Sequence, residues 1–241
     1  MSRPKQTIAQ RLNAAQLAIG NSLSDAEIQS LVAEFGYPEA KLGAGNILHD
    51  AALTAVNASK AVAGAQQQST QALAQAEKTA RDAYQALAKV ARAVFIKDKA
   101  QLAALGLTGA APKDTAGFLA AAYALFDNAQ SVPALADYGY EDSKLRSERA
   151  KIAACDSANQ NQEAAKGAAQ QAAREQDAAL KALDEWTAQY LKIAKVALRG
   201  KRQLLEKLGV RARTVKTAAQ RAAPKKAAAA RVAKQALSKA K

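Results

Sequence analysis

A single cysteine, Cys155, rules out an internal disulfide and fits a reducing compartment. A single histidine, His49, leaves no cluster with zinc-ligand spacing, and no Glu-x-x-His step exists to build a carboxylate-bridged metal pair. Nowhere do 18 apolar residues run together, so no membrane-spanning helix is expected. Strand-type alternation is missing, and with it any strand followed by a glycine-rich phosphate cradle. Only five prolines interrupt 241 residues, and aromatics make up 5%. Acidic residues are absent from the first 24 positions and from the last 31.

These absences leave the expectation of an enzyme with no residues to carry it: no catalytic residue, no metal ligand and no cofactor site is indicated. Asp82, Glu148, Glu163 and Glu185 stand among Lys and Arg on helix faces and read as solvated. The acid-free start has the look of a transit peptide. Residues 12–21, however, belong to a repeated unit and are therefore read as folded protein. A cytoplasmic bacterial protein is expected, nucleoid-associated if it binds DNA.

What the chain does have is an internal repeat. EFGYPEAKL (residues 34–42) returns 103 positions later as DYGYEDSKL (137–145). The offset continues without a gap: Gly64 falls on Gly167, KVARAVF (89–95) on KIAKVAL (192–198), and QLAALGL (101–107) on LLEKLGV (204–210). Upstream, LNAAQLAIGN (12–21) matches LAAAYALFDN (119–128) at an offset of 107. The extra four residues are about one helical turn. The chain is thus a tandem duplication: residues 1–107, residues 108–210, and a basic Ala/Lys-rich tail, 211–241.

Alanine and straight-chain residues favour helix throughout, so the expected fold class is all-α. Each repeat is expected to open with an amphipathic helix, over 5–20 in the first copy and 115–128 in the second. A short helix should come next, ending at Gly36 or Gly139, where a left-handed residue suits glycine. Pro38 and the acids Glu39, Glu141 and Asp142 then suit the start of another helix. Tyr37 and Tyr140 should pack this corner with their hydroxyls left wet.

Small and apolar residues then recur at three-four spacing in one unbroken phase. In the first copy they are Leu48, Ala52, Ala55, Ser59, Val62, Gln66, Ser69, Leu73, Ala76, Ala80, Ala83, Leu87, Val90 and Val94. In the second they are Cys155, Ala158, Gln162, Ala165, Ala169, Ala172, Gln176, Ala179, Leu183, Trp186, Tyr190 and Ile193. A hairpin at Gly64 and Gly167 would shift the phase and bring loop residues. The favoured expectation is one continuous helix of about 55–60 residues per copy, with the hairpin as the alternative.

An alanine-rich seam buries little by itself, so the two long helices should pair antiparallel as a coiled-coil shaft about a pseudo-twofold axis. Gly64 and Gly167 are expected at their closest approach. Short-helix bundles should form apolar heads at both ends. One would gather Tyr84, Phe95, Phe118, Tyr123, Phe126, Tyr138 and Tyr140; the other, Phe35, Tyr37, Trp186, Tyr190 and Leu198. His49 and Cys155 fall on Ile152 and Ala52 under the repeat, which points to packing positions.

The net charge of +14 is divided unevenly. Residues 1–198 carry 21 Lys and Arg against 20 Asp and Glu, whereas residues 199–241 carry 14 against the single Glu206. Ten basic residues belong to the tail: Arg211, Arg213, Lys216, Arg221, Lys225, Lys226, Arg231, Lys234, Lys239 and Lys241. Without aromatics to stack on bases, they suit neutralisation of nucleic-acid phosphates, duplex DNA ahead of ribosomal RNA. Other readings are a disordered, solubilising tail and an anionic-lipid contact, the latter disfavoured by the lack of bulky apolar residues. The heads offer a further reading, an adaptor acting through protein contacts or self-association.

The tail sequence AAPKKAAAARVAKQALSKAK resembles the Ala/Lys/Pro-rich tails of linker histones and bacterial histone-like nucleoid proteins. The body, through FGYPEAKL and QLLEKLGV, resembles bacterial helical-repeat proteins with no assigned activity. The first resemblance implies DNA binding; the second implies architecture alone.

Overall fold

The structure is a computed structural model that describes residues 6–210. Seven α-helices and one 3-10 helix occur among them: α1 (Ile8–Ser24), α2 (Ala26–Ala33), α3 (Glu39–Val94), α4 (Lys99–Ala104), α5 (Thr115–Ala129), the 3-10 helix (Pro133–Tyr138), α6 (Asp142–Ala197) and α7 (Arg202–Lys207). No strand is found among the described residues. The order repeats: α1 to α4 and α5 to α7 are the same series, with the 3-10 helix in the place of α2.

Local chemistry sets the ends. Thr7 and Gln10 form a reciprocal capping box, so α1 begins at Ile8 rather than at residue 5. It also runs past Gly20 to Ser24, because the next cap, Asp25, accepts from the Glu27 and Ile28 amides of α2. Asp114, the register mate of Thr7, caps α5 by accepting from Gly117 at 2.7 Å. Gly36 and Gly139 both have left-handed backbone, φ +79° and +81°, as the corner requires.

Both long helices are continuous, 56 residues each, through Gly64 and Gly167. Every seam position named from the sequence is buried or half-buried. The two helices pack together and run antiparallel: Gly45, near the start of α3, meets Trp186, near the end of α6. The glycines behave differently from expectation. Gly64 and Gly167 are exposed, and an added Cβ would meet nothing. Close approach instead occurs at Gly45, where a Cβ would overlap the Trp186 ring.

The chain divides into two compact units that cut across the repeats. Met1–Asp50 and Ala182–Lys241 make the first, and Ala51–Lys181 makes the second. Each therefore combines the front of one repeat with the back of the other. The first unit's core holds Ile28, Val32, Tyr37, Leu42, Tyr190, Ala194 and Leu198, with Trp186 packed against it. Tyr37, Trp186 and Tyr190 have ring centroids 5.0–5.9 Å apart. The second unit's core is larger and includes Tyr84, Leu87, Phe118, Phe126, Leu145, Ile152 and Cys155, with Phe95, Tyr123 and Tyr140 half-buried against it. Two aromatics expected in these heads lie outside them: Phe35 is 45% exposed and Tyr138 58%. They are register mates just before the corner glycine.

Two further residues correct the sequence reading. The Tyr37 hydroxyl is buried and has no partner among the described residues; burial pushes its pKa up. Glu148 is buried rather than solvated, held by Lys144 at 2.7 Å and Lys151 at 2.6 Å. The second copy's short helix is 3-10, with Pro133 in its first turn.

Candidate nucleic-acid interface

All ten tail residues proposed from the sequence to bind phosphate, Arg211 to Lys241, lie outside the described residues. The approach to them is well defined. Chain exit from α7 is fixed by Gly209 (φ +73°), whose amide donates to the Glu206 carbonyl at 3.0 Å, and by Val210, whose amide donates to Leu205 at 3.1 Å. This six-to-one closure satisfies carbonyls that the helix end leaves open.

Three of the basic residues just before the tail are already engaged. Lys201 pairs with Glu27 at 2.5 Å, Arg202 with Glu206 at 2.9 Å, and Lys207 with Asp25 at 2.8 Å. The Lys207 hydrogen bond, together with the Ile28 amide, holds the Asp25 carboxyl below the usual carboxylate range. These three cations thus have carboxylate partners, while residues 211–241 contain no carboxylate side chain.

His49 and Cys155 occupy packing positions, as their mates do. His49, Ile152, Cys155 and Ala52 are all buried. Burial raises the Cys155 thiol above its ordinary pKa, which suppresses the thiolate. The His49 Nδ1 lies 3.3 Å from Asp50. Among the described residues no three His, Cys, Asp or Glu side chains converge, and no helix is long and apolar enough to cross a membrane.

One feature of the first unit was missed from the sequence. A groove of about 900 Å³ lies between α1, the end of α6 and the end of α7, lined by Arg11, Leu17, Asp184, Thr187, Leu208 and Gly209 among others. Arg11 grips Asp184 with two hydrogen bonds, 3.2 and 2.5 Å. The Thr187 hydroxyl is buried with no partner among the described residues. A signal did exist in the sequence: the mates of Arg11, Asp184 and Thr187 are Phe118, Arg81 and Tyr84, so the copies differ sharply here.

Comparison with protein families, with curated proteins and with solved structures found no match to this chain.

Proposed function

We propose that the chain is a non-enzymatic helical scaffold that holds nucleic acid, duplex DNA ahead of RNA, without sequence preference through the basic residues of its tail. The observation that carries this reading is the charge partition: ten cations and no anion in residues 211–241, attached to a body with 21 basic and 20 acidic residues up to 198. A run of cations with no acidic residue among them suits displacement of counterions from a phosphate backbone. The paired state of Lys201, Arg202 and Lys207 supports placing that capacity beyond residue 210.

The test is binding of the full chain to duplex DNA of fixed length across a salt series. With all ten charges engaged, log K against log[salt] falls with a slope near −9, and less steeply with partial contact. Changing Lys225 and Lys226 to Gln lowers the slope by about 2 on every sequence tried. A chain ending at residue 217 that binds DNA as tightly as the full chain sinks the proposal. Competition with ribosomal RNA ranks the two nucleic acids.

A second reading, an adaptor working through its helical heads, is favoured by one observation. Phe35 and Tyr138 occupy the same repeat position and are both exposed. On that reading Phe35→Ser with Tyr138→Ser abolishes self-association or partner capture and leaves the salt-dependent DNA affinity unchanged.

A further inference from the structure

Within the second unit, part of α3 and part of α6 form a two-helix layer. Leu87 of α3 shares a core with Leu145 and Ile152 of α6, so the end of one helix lies beside the start of the other. Away from that core the seam thins. On α3 no residue between Val56 and Ala80 is buried, and on α6 only Gln162 and Ala172 are buried between Cys155 and Leu180. The outer faces of such a layer must be charged and solvated, or covered by another layer.

The two broad faces of this layer differ in charge. Residues one place before each seam position form a stripe turned about 100° from the seam. On α3 it includes Ala58, Ala61, Ala65, Gln68 and Ala72. On α6 it includes their register mates Asn161, Ala164, Ala168, Gln171 and Glu175, and all ten are exposed. Antiparallel helices packed through equivalent seams are related by a twofold axis normal to their plane, so both stripes emerge on the same side. Taken over 51–75 and 154–178, that face has sixteen positions and one charge, Glu175, already bonded by Gln171 at 2.8 Å. Residues one place after the seam line the opposite side. Their sixteen positions hold six charges: Lys60, Glu77, Asp156, Glu163, Lys166 and Asp177.

We propose that this uncharged face is the contact surface for a second copy of the chain, the two layers stacking across a twofold axis into four helices. Its chemistry suits that occupant. A twofold contact sets the same patch of both copies together, which repels when the patch is charged and does not when it is alanine. Amides donate and accept at once, so Gln68, Asn161 and Gln171 have partners in the same groups of the other copy. Small side chains shorten the distance between helix axes, and depletion of charge marks the centre of protein interfaces. Size fits as well. The stripe over 51–75 is about 37 Å long, and two helices side by side are about 20 Å wide. Their product, about 750 Å², is close to the roughly 800 Å² per partner of a standard interface. Stacking also gives the thin seam a second layer to pack against. This association does not depend on the nucleic-acid reading.

Sedimentation equilibrium of the full chain at high salt, without nucleic acid, tests this separately from DNA binding. The expected species is a dimer, twice the 25.2 kDa chain mass. Ala65→Glu with Ala168→Glu sets carboxylates at the middle of the face and should weaken the dimer about a hundredfold or more. Ala61→Lys with Ala164→Lys should do the same with the opposite sign. All four positions are exposed, so circular dichroism of these variants should keep the parent's helix content. Ala63→Glu with Gln170→Glu adds the same charge to the opposite side and should leave the dimer intact. A monomer at every concentration overturns the proposal. So does a dimer that tolerates charge on the uncharged face, or that is weakened as much by charge on the opposite one. A dimer lost only through Phe35→Ser with Tyr138→Ser also overturns it, by placing association in the heads.

Discussion

Three glycines in the long helices have the same helical backbone and opposite surroundings. Gly64 and Gly167 face open space, so alanine at either should gain the helix propensity difference, about 1 kcal/mol each. Gly45 lies under Trp186, where a methyl group overlaps the ring. There overpacking, about 1–3 kcal/mol, outweighs the propensity gain, and Gly45→Ala should lower the melting temperature while the other two raise it. Trp186→Ala should cancel the penalty of Gly45→Ala, read in a double-mutant cycle. The second unit already holds a different solution at these register positions, Glu148 and Ala83. Burial there pushes the Glu148 carboxyl up, but hydrogen bonds from Lys144 and Lys151 outweigh it and leave the carboxyl below its ordinary range. A carboxyl depressed in the folded state stabilises fully above its unfolded titration, and that contribution is lost as pH falls through the folded value. Glu148→Gln should therefore destabilise at neutral pH and flatten the acid limb of a melting-temperature profile. An acid limb identical to that of the parent would show that the two lysines do not hold this carboxylate.

At the scale of the element, burial along α3 is concentrated at its ends. No residue is fully buried between Val56 and Ala80, whereas Ala80, Leu87, Ala88 and Ala91 are. Leu87→Ala should cost about 2–5 kcal/mol and Val62→Ala under about 1 kcal/mol, because only the first leaves a closed cavity. Equal losses in chemical denaturation would mean that the central seam packs more tightly than its half-buried alanines allow. Short helices are tied in by a repeated device. Asn21, at the end of α1, donates to the Lys207 carbonyl at 2.5 Å, and Asn128, at the end of α5, to the Ala104 carbonyl at 2.7 Å. Asn21 and Asn128 are register mates, as are Lys207 and Ala104, so one interaction is built twice. Elsewhere the copies exchange polar for apolar partners: the buried hydroxyls of Ser22 and Tyr190 bond to each other, and Ala129 and Leu87 stand at the same positions.

On the scale of the whole molecule, each compact unit takes one half from each repeat. Residues 1–107 expressed alone carry α1 and α2 without the end of α6, and the end of α3 without α5. That fragment should show little helix at low concentration and regain it on addition of residues 108–210, measured by circular dichroism during titration. A fragment of 1–107 that folds cooperatively as a monomer would show that the repeat, not the mixed unit, is the folding unit.

The all-α class, the duplication, the two unbroken helices and the buried face of each were legible in the sequence, because helical periodicity and glycine placement are local properties. So were the packing roles of His49 and Cys155, since a register mate reports what a position tolerates. The tail's charge was legible too, as composition alone. Tertiary structure decided what depends on which helix comes opposite which. It placed Trp186 over Gly45 and left Gly64 and Gly167 facing solvent. It buried Glu148 between two lysines, turned Phe35 and Tyr138 outward and shut in the Tyr37 hydroxyl. It also opened a groove beside Asp184 in one unit, at positions that Tyr84 and Phe118 fill in the other. The approach of Trp186 to Gly45 joins residues more than 100 positions apart in sequence, a distance over which periodicity carries no information.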